Sequence, residues 1–188
     1  AQTADGGYIA CGRTRSFSVG SYDALVVKLD ANGKLQWQKT YGGKDLDWGF
    51  SIIEMSNGYS LICETDSFGA GYSDLWLVRL DSKGNIMRQV AIGGGGDEGV
   101  CSITSATRHG KDSLMIVGST NSHGRPDYDL WILNIDSSGN IVDEKIAGGI
   151  QSEMANGIRK TCGGFLICGT TMSFGAGEYD AWMLSLDE

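Results

Sequence analysis

Carboxylates recur at matching places along the chain. Asp45, Asp47, Asp97, Glu98 and Glu153 all follow glycine-rich turns. Carboxylates gathered at one spot supply the oxygen ligands that a hard cation such as Ca²⁺ takes. Asp47, Asp97 and Glu153 are therefore the candidate metal ligands. No EF-hand spacing or other compact calcium loop is present, and solvated charges capping glycine turns account for the same residues without a metal. A second set, Asp23, Asp74, Asp129 and Asp180, stands beside the segments Thr14-Arg-Ser-Phe17, Thr65-Asp-Ser-Phe68, Thr120-Asn-Ser-His123 and Thr171-Met-Ser-Phe174. An Asp or Ser in such a loop accepts backbone N–H bonds, as in Asx and ST turns. Recurrence in every copy points to loop-tying ahead of ligand binding.

Groups that break the pattern are better candidates for recognition. His123-Gly-Arg-Pro-Asp-Tyr128 replaces a recurrent Phe-Gly-Ala-Gly and adds a cation and an aromatic ring. Trp48 is aligned with Glu98 and Met154 of later copies, and an exposed indole there would stack on a sugar ring or anchor a protein interface. Trp48, His123, Arg125 and Tyr128 are the candidate ligand-binding residues, with drift in a tolerant loop as the plainer account. Catalysis needs a constellation, and none assembles. His109 and His123 fall on loops of opposite ends, no G-x-S-x-G elbow occurs, and Gly93–Gly96 lacks the Lys-Ser or helix of a phosphate loop. A pair of carboxylates at glycosidase separation stays open. The turns Asp30-Ala-Asn-Gly33, Asp81-Ser-Lys-Gly84 and Asp136-Ser-Ser-Gly139 are one residue too long for a sialidase Asp-box and read as hairpin turns.

The elements that position these residues are written four times. Asp23-Ala-Leu-Val-Val-Lys-Leu-Asp30 returns as Asp74 to Asp81, Asp129 to Asp136 and Asp180 to Asp187, the closing aspartates 51, 55 and 51 residues apart. A period near fifty marks a repeat architecture. The complete second copy predicts four strands: 49–55, 59–65, 74–81 and 86–92. In the third of these, Trp76, Val78 and Leu80 share one face and Leu75 and Leu77 the other, so both faces must be covered. Four-stranded antiparallel blades about an axis meet that need, which makes the predicted fold an all-β propeller of about four blades. Small residues (Gly49, Ser51; Gly99, Cys101; Ala155, Gly157) suit the crowded innermost strand. Helical spacing is absent.

Composition agrees with short strands and tight turns: 29 glycines, one proline and 41% hydrophobic residues in 188. A net charge of -8 argues against a nucleic-acid backbone as partner. No apolar run is long enough to span a membrane, and the first residues do not form a signal peptide. Five cysteines occur without metal-like spacing; four sit at core positions, Cys101 being aligned with Ser51 and Gly157, and only Cys162 is expected to be exposed.

The segments Asp5-Gly-Gly-Tyr-Ile-Ala-Cys-Gly-Arg-Thr14, Asp23 to Asp30, Gly33-Lys-Leu-Gln-Trp-Gln-Lys-Thr-Tyr-Gly-Gly43 and Asp47-Trp-Gly-Phe-Ser-Ile52 resemble a tandem repeat of secreted and cell-surface proteins of archaea and bacteria. The resemblance covers essentially the whole chain and implies propeller blades and an extracellular or cell-surface setting. It specifies fold and leaves activity open. On this reading residues 1–188 form a single propeller or propeller fragment, with repeats at approximately 1–31, 32–81, 82–136 and 137–188. Ala1 aligns with Ile52 and Glu188 with Ser137, which fits a window from six to eight blades, a closed four-blade ring, or two chains sharing a ring. Three functions follow: a non-catalytic module binding a protein or glycan through loops on one face, a glycan-processing hydrolase or lyase with an axial site, or an assembly protein joining chains through open blade edges.

Overall fold

The computed structural model describes residues 1–108, 110–123 and 127–187, and among these it contains fourteen strands and no helix. It therefore has no helix long and apolar enough to cross a membrane. Two compact units divide at Gly95 and Gly96. The first unit holds β1 (Tyr8–Thr14), β2 (Asp23–Leu29) and β3 (Leu35–Tyr41) as one sheet, in that order. Its second sheet is β4 (Asp47–Met55), β5 (Gly58–Thr65), β6 (Asp74–Leu80) and β7 (Ile86–Ile92). The second unit pairs β8 (Glu98–Arg108), β9 (Lys111–Thr120), β10 (Asp129–Asp136) and β11 (Ile141–Ala147) in a third sheet. A fourth sheet is made of β12 (Glu153–Thr161), β13 (Gly164–Thr171) and β14 (Asp180–Asp187). Neighbouring strands are antiparallel and consecutive in sequence. The second, third and fourth sequence periods thus each take their opening strand from one sheet and their other three from the next.

Turn chemistry fixes the register. Asp30, Asp81 and Asp136 each accept two backbone N–H bonds from their own turn, as with Lys83 and Asn85 on Asp81 Oδ1, both at 2.8 Å. Gly33, Gly84 and Gly139 close these turns at φ of 77°, 74° and 80°, where a Cβ is strained. The first strands of the three sheets that have one carry a bulge at the same place, at Phe50, Cys101 and Asn156.

In the first unit the two sheets meet face to face. Ile9, Ala24, Val26 and Tyr41 of the first pack against Leu61, Cys63, Trp76, Val78 and Leu80 of the second. The backbones approach mainly through β4, against β1 and β2. A Cβ on Gly49 would stand 2.9 Å from the Gly12 carbonyl oxygen, so the close approach requires a residue without one. Farther out, Trp37 and Tyr41 fill the space: the Trp37 ring lies 6.1 Å from Tyr59, and the Tyr41 hydroxyl donates to Gly84 O at 2.7 Å. Lys28 is buried and ion-paired with Asp5 at 2.8 Å, which holds the Asp5 carboxyl well below the usual range.

The second unit repeats the scheme with β12 lying against β8, β9 and β10. Met115, Val117 and Ile132 face Ile158, Phe165 and Ile167. Pairing register puts Asp143 where the first unit has Trp37, and Ala147 where it has Tyr41. Without those two rings a cavity of about 430 Å³ opens, lined by Met115, Ile132, Asn134, Asp143, Phe165 and Leu186.

Both faces of β6 are buried, Leu75 and Leu77 as fully as Trp76 and Val78, as its composition requires. On β14 one face stays open: Met183 is 65% exposed, and Leu166 and Cys168 beside it are exposed too. Cys168 thus departs from its expected core place, because its face of the fourth sheet is uncovered among the described residues. Cys162 is exposed as expected, and all five thiols are free.

Candidate functional site

The recurring carboxylates are occupied by their own loops. Pairing sets Asp47 opposite Thr65, Glu98 opposite Thr120 and Glu153 opposite Thr171. Asp47 accepts bonds from the Thr65 hydroxyl, from Ser67 Oγ at 2.8 Å and from the Gly43 amide at 2.7 Å. Glu153 repeats this with Thr171 Oγ1 at 2.6 Å, Gly149 N at 2.7 Å and Ser173 N at 3.2 Å. Glu98 takes the Thr120 and Ser122 hydroxyls. All three are buried. Burial pushes the Glu153 carboxyl up, but the hydrogen bonds from Thr171, Gly149 and Ser173 outweigh it and leave the group below its ordinary value.

The second aspartate set ties the loops in the same manner. Asp23 Oδ2 accepts from Val19 N, Asp74 Oδ2 from Ala70 and Gly71, and Asp180 Oδ2 from Ala176 and Gly177. Thr65 Oγ1 and Thr171 Oγ1 accept the amides two and three residues on, closing ST turns. The recurrent phenylalanines then cover the recurrent tryptophans, Phe68 on Trp76 at 4.9 Å and Phe174 on Trp182 at 5.8 Å.

The candidate cation ligands are distributed accordingly. Asp47 and Glu153 are filled by amides and hydroxyls, whereas Asp97 Oδ2 accepts the Tyr128 hydroxyl at 3.1 Å. Among the described residues, no group of three or more His, Cys, Asp or Glu side chains stands together to hold a metal.

The pattern-breaking residues of the β9–β10 loop part company. Tyr128 turns to the start of β8 through Asp97, and its carbonyl accepts the Glu153 amide at 2.7 Å. His123 turns to β11, its Nε2 lying 3.9 Å from Glu144 Oε1, which also accepts the Trp131 indole N–H at 2.6 Å. Arg125 and His109 lie outside the described residues.

Trp48 belongs elsewhere than its sequence alignment suggested. The paired threonines fix Trp48 opposite Glu64 and make its equivalents Gly99 and Met154; Glu98 is the counterpart of Asp47. Cys101 is likewise the bulge residue matching Phe50 and Asn156, not Ser51 and Gly157. The run Gly93 to Gly96 carries no side-chain pattern, so a one-residue phase error passes through it unseen.

The Trp48 ring is half-buried and already has a partner. The Arg13 guanidinium stacks over it at 3.9 Å and lies 5.2 Å from the Tyr22 ring, with Arg15 5.1 Å from the same Tyr22. Tyr22 meets Trp48 edge-on at 6.5 Å, and Phe50, 43% exposed, lies 6.4 Å from Trp48. Among the described residues neither Arg13 nor Arg15 has a hydrogen-bond or carboxylate partner, and the Trp48 indole N–H is screened from solvent and unpaired. Arg13, Arg15, Tyr22 and Phe50 escaped the sequence reading. The signal was a charge reversal: β-strand register aligns Arg13 and Arg15 with Glu64 and Asp66 of the next copy.

No family model matches this chain, and no curated protein matches it.

Proposed function

We propose that this chain is a non-catalytic β-propeller module of an extracellular or cell-surface protein, whose four sheets are blades and whose loops on one face bind a glycan or protein. The radial arrangement is supported by the way one sheet of each unit approaches the other mainly through a single strand, β4 in the first and β12 in the second, with Trp37 and Tyr41 filling the wider outer space in the first. One observation carries the binding role: the recurring carboxylates are consumed by loop amides and hydroxyls, while Arg13 and Arg15, found in one copy, have no hydrogen-bond or carboxylate partner among the described residues, and Phe50 beside them is exposed. A glycan array probed with the wild type and with Trp48→Ala tests it. Retention of selected glycans, lost on substitution, is expected; no binding, or binding indifferent to the change, would contradict it.

The open face of the fourth sheet favours a second reading, assembly. Leu166, Cys168 and Met183 occupy the positions that Met115, Val117 and Ile132 bury in the third sheet against the fourth. A concentration-independent monomer in sedimentation velocity would remove this reading.

A further inference from the structure

We propose that Arg13, Arg15, Tyr22, Trp48 and Phe50 form a binding site for a carboxylate-bearing sugar, the uronic-acid unit of an acidic polysaccharide. The inference rests on the reading of the chain as a binding module and gives that module a ligand class. Stacking occupies the face of a guanidinium and leaves its in-plane N–H fork free. Arg13 is stacked in this way on Trp48, and Arg15 stands on the other cation contact to Tyr22. Two forks are thus held near one tyrosine ring in a chain of net charge -8, with no carboxylate of their own among the described residues. A fork of this geometry takes a carboxylate through two parallel N–H···O bonds. Because both arginines are exposed, a ligand reaches them without opening the core.

The aromatic residues choose between acidic partners. An acidic peptide needs only the guanidinium forks. A pyranose adds an apolar C–H face, and the exposed edge of Phe50 beside the half-buried Tyr22 offers a surface for it. The site is confined to one copy, since the corresponding residues elsewhere are Glu64 and Asp66, Ser119 and Asn121, and Thr170 and Met172. One site per chain is therefore expected.

Titration calorimetry with tetragalacturonate, its methyl ester and a hexaglutamate peptide tests the proposal on the wild type and on an Arg13→Gln/Arg15→Gln double variant. Expected is one site for the acid, at least about tenfold weaker binding of the ester, and a loss of tenfold or more in the double variant. Ester bound as tightly as acid, or a double variant that binds like the wild type, would overturn the site while leaving a glycan-binding module standing. Hexaglutamate binding as tightly as the sugar would also overturn it, in favour of an acidic peptide. Binding to none of the three would overturn it outright. Shortening of the tetragalacturonate by the wild type, with binding still lost in the double variant, would support the site and instead remove the non-catalytic reading.

Discussion

Replacing Glu153 with Gln should weaken the second unit in a pH-dependent way. In the native site Oε1 accepts the Thr171 hydroxyl at 2.6 Å and Ser173 N at 3.2 Å, while Oε2 accepts Gly149 N at 2.7 Å. A glutamine has one oxygen for these donors, so its amide group must face either Gly149 N–H or the Thr171 and Ser173 side. Turning the Thr171 hydroxyl to accept relieves little of the conflict, because that oxygen already receives Ser173 N at 3.0 Å and Phe174 N at 3.2 Å and has no third lone pair. Hydrogen bonds to a charged group are worth roughly 1.5–3 kcal/mol, which sets the expected loss at about 2 kcal/mol near pH 7. The folded-state value of Glu153 lies below its unfolded one, so its contribution is present above the unfolded carboxyl range and is lost as pH falls through the folded value. The gap between wild type and variant should therefore close on acidification below about pH 4.5. Urea unfolding followed by tryptophan fluorescence at several pH values reads both effects. Equal stability at neutral pH, or a gap unchanged down to pH 3, would refute the assignment of Glu153 as a charged clasp.

Other consequences are simpler. Tyr41→Phe removes the buried bond to Gly84 O and should cost about 1 kcal/mol in the same unfolding assay. Gly58→Ala should be far more disruptive than Gly33→Ala: Gly33, at φ 77°, has open space around it and carries only the backbone strain of about 1–2 kcal/mol, whereas Gly58, at φ 130°, would also drive its Cβ into the Leu80 carbonyl. Thermal melts of the two variants check this order. Cys162 and Cys168 should react quickly with a thiol reagent at pH 8, and Cys11, Cys63 and Cys101 should not. Burial pushes the Cys11 thiol up to about 11 and raises Cys63 and Cys101 as well. Five equally fast thiols would show the cores to be open.

Strand positions were legible because hydrophobic alternation and glycine turns are local signals. Asp74 to Leu80 is apolar at both parities and is buried on both faces; Asp30, Asp81 and Asp136 announce turns whose glycines take positive φ. Loop-tying by Asp23, Asp74 and Asp180 was legible for the same reason, since recurrence separates a tie from a ligand. The phase of the third copy was not, because Gly93 to Gly96 offers no side chains to align and the pairing of Glu98 with Thr120 is a long-range fact. Nor was the Arg13 cluster, whose members come from β1, β4 and the loop before β2, and meet only when two sheets pack. The cavity beside Asp143 depends likewise on Trp37 and Tyr41 having no counterpart across the pairing register.

Distances between pairs of encoded spin labels test the radial arrangement most directly. One pair replaces Phe50 and Asn156, on the first strands of the second and fourth sheets; the other replaces Leu35 and Val142, on the last strands of the first and third. Each pair joins sheets two places apart in chain order. Blades around an axis make the first distance clearly the shorter, whereas equal distances, as in a parallel stack of sheets, would contradict the propeller.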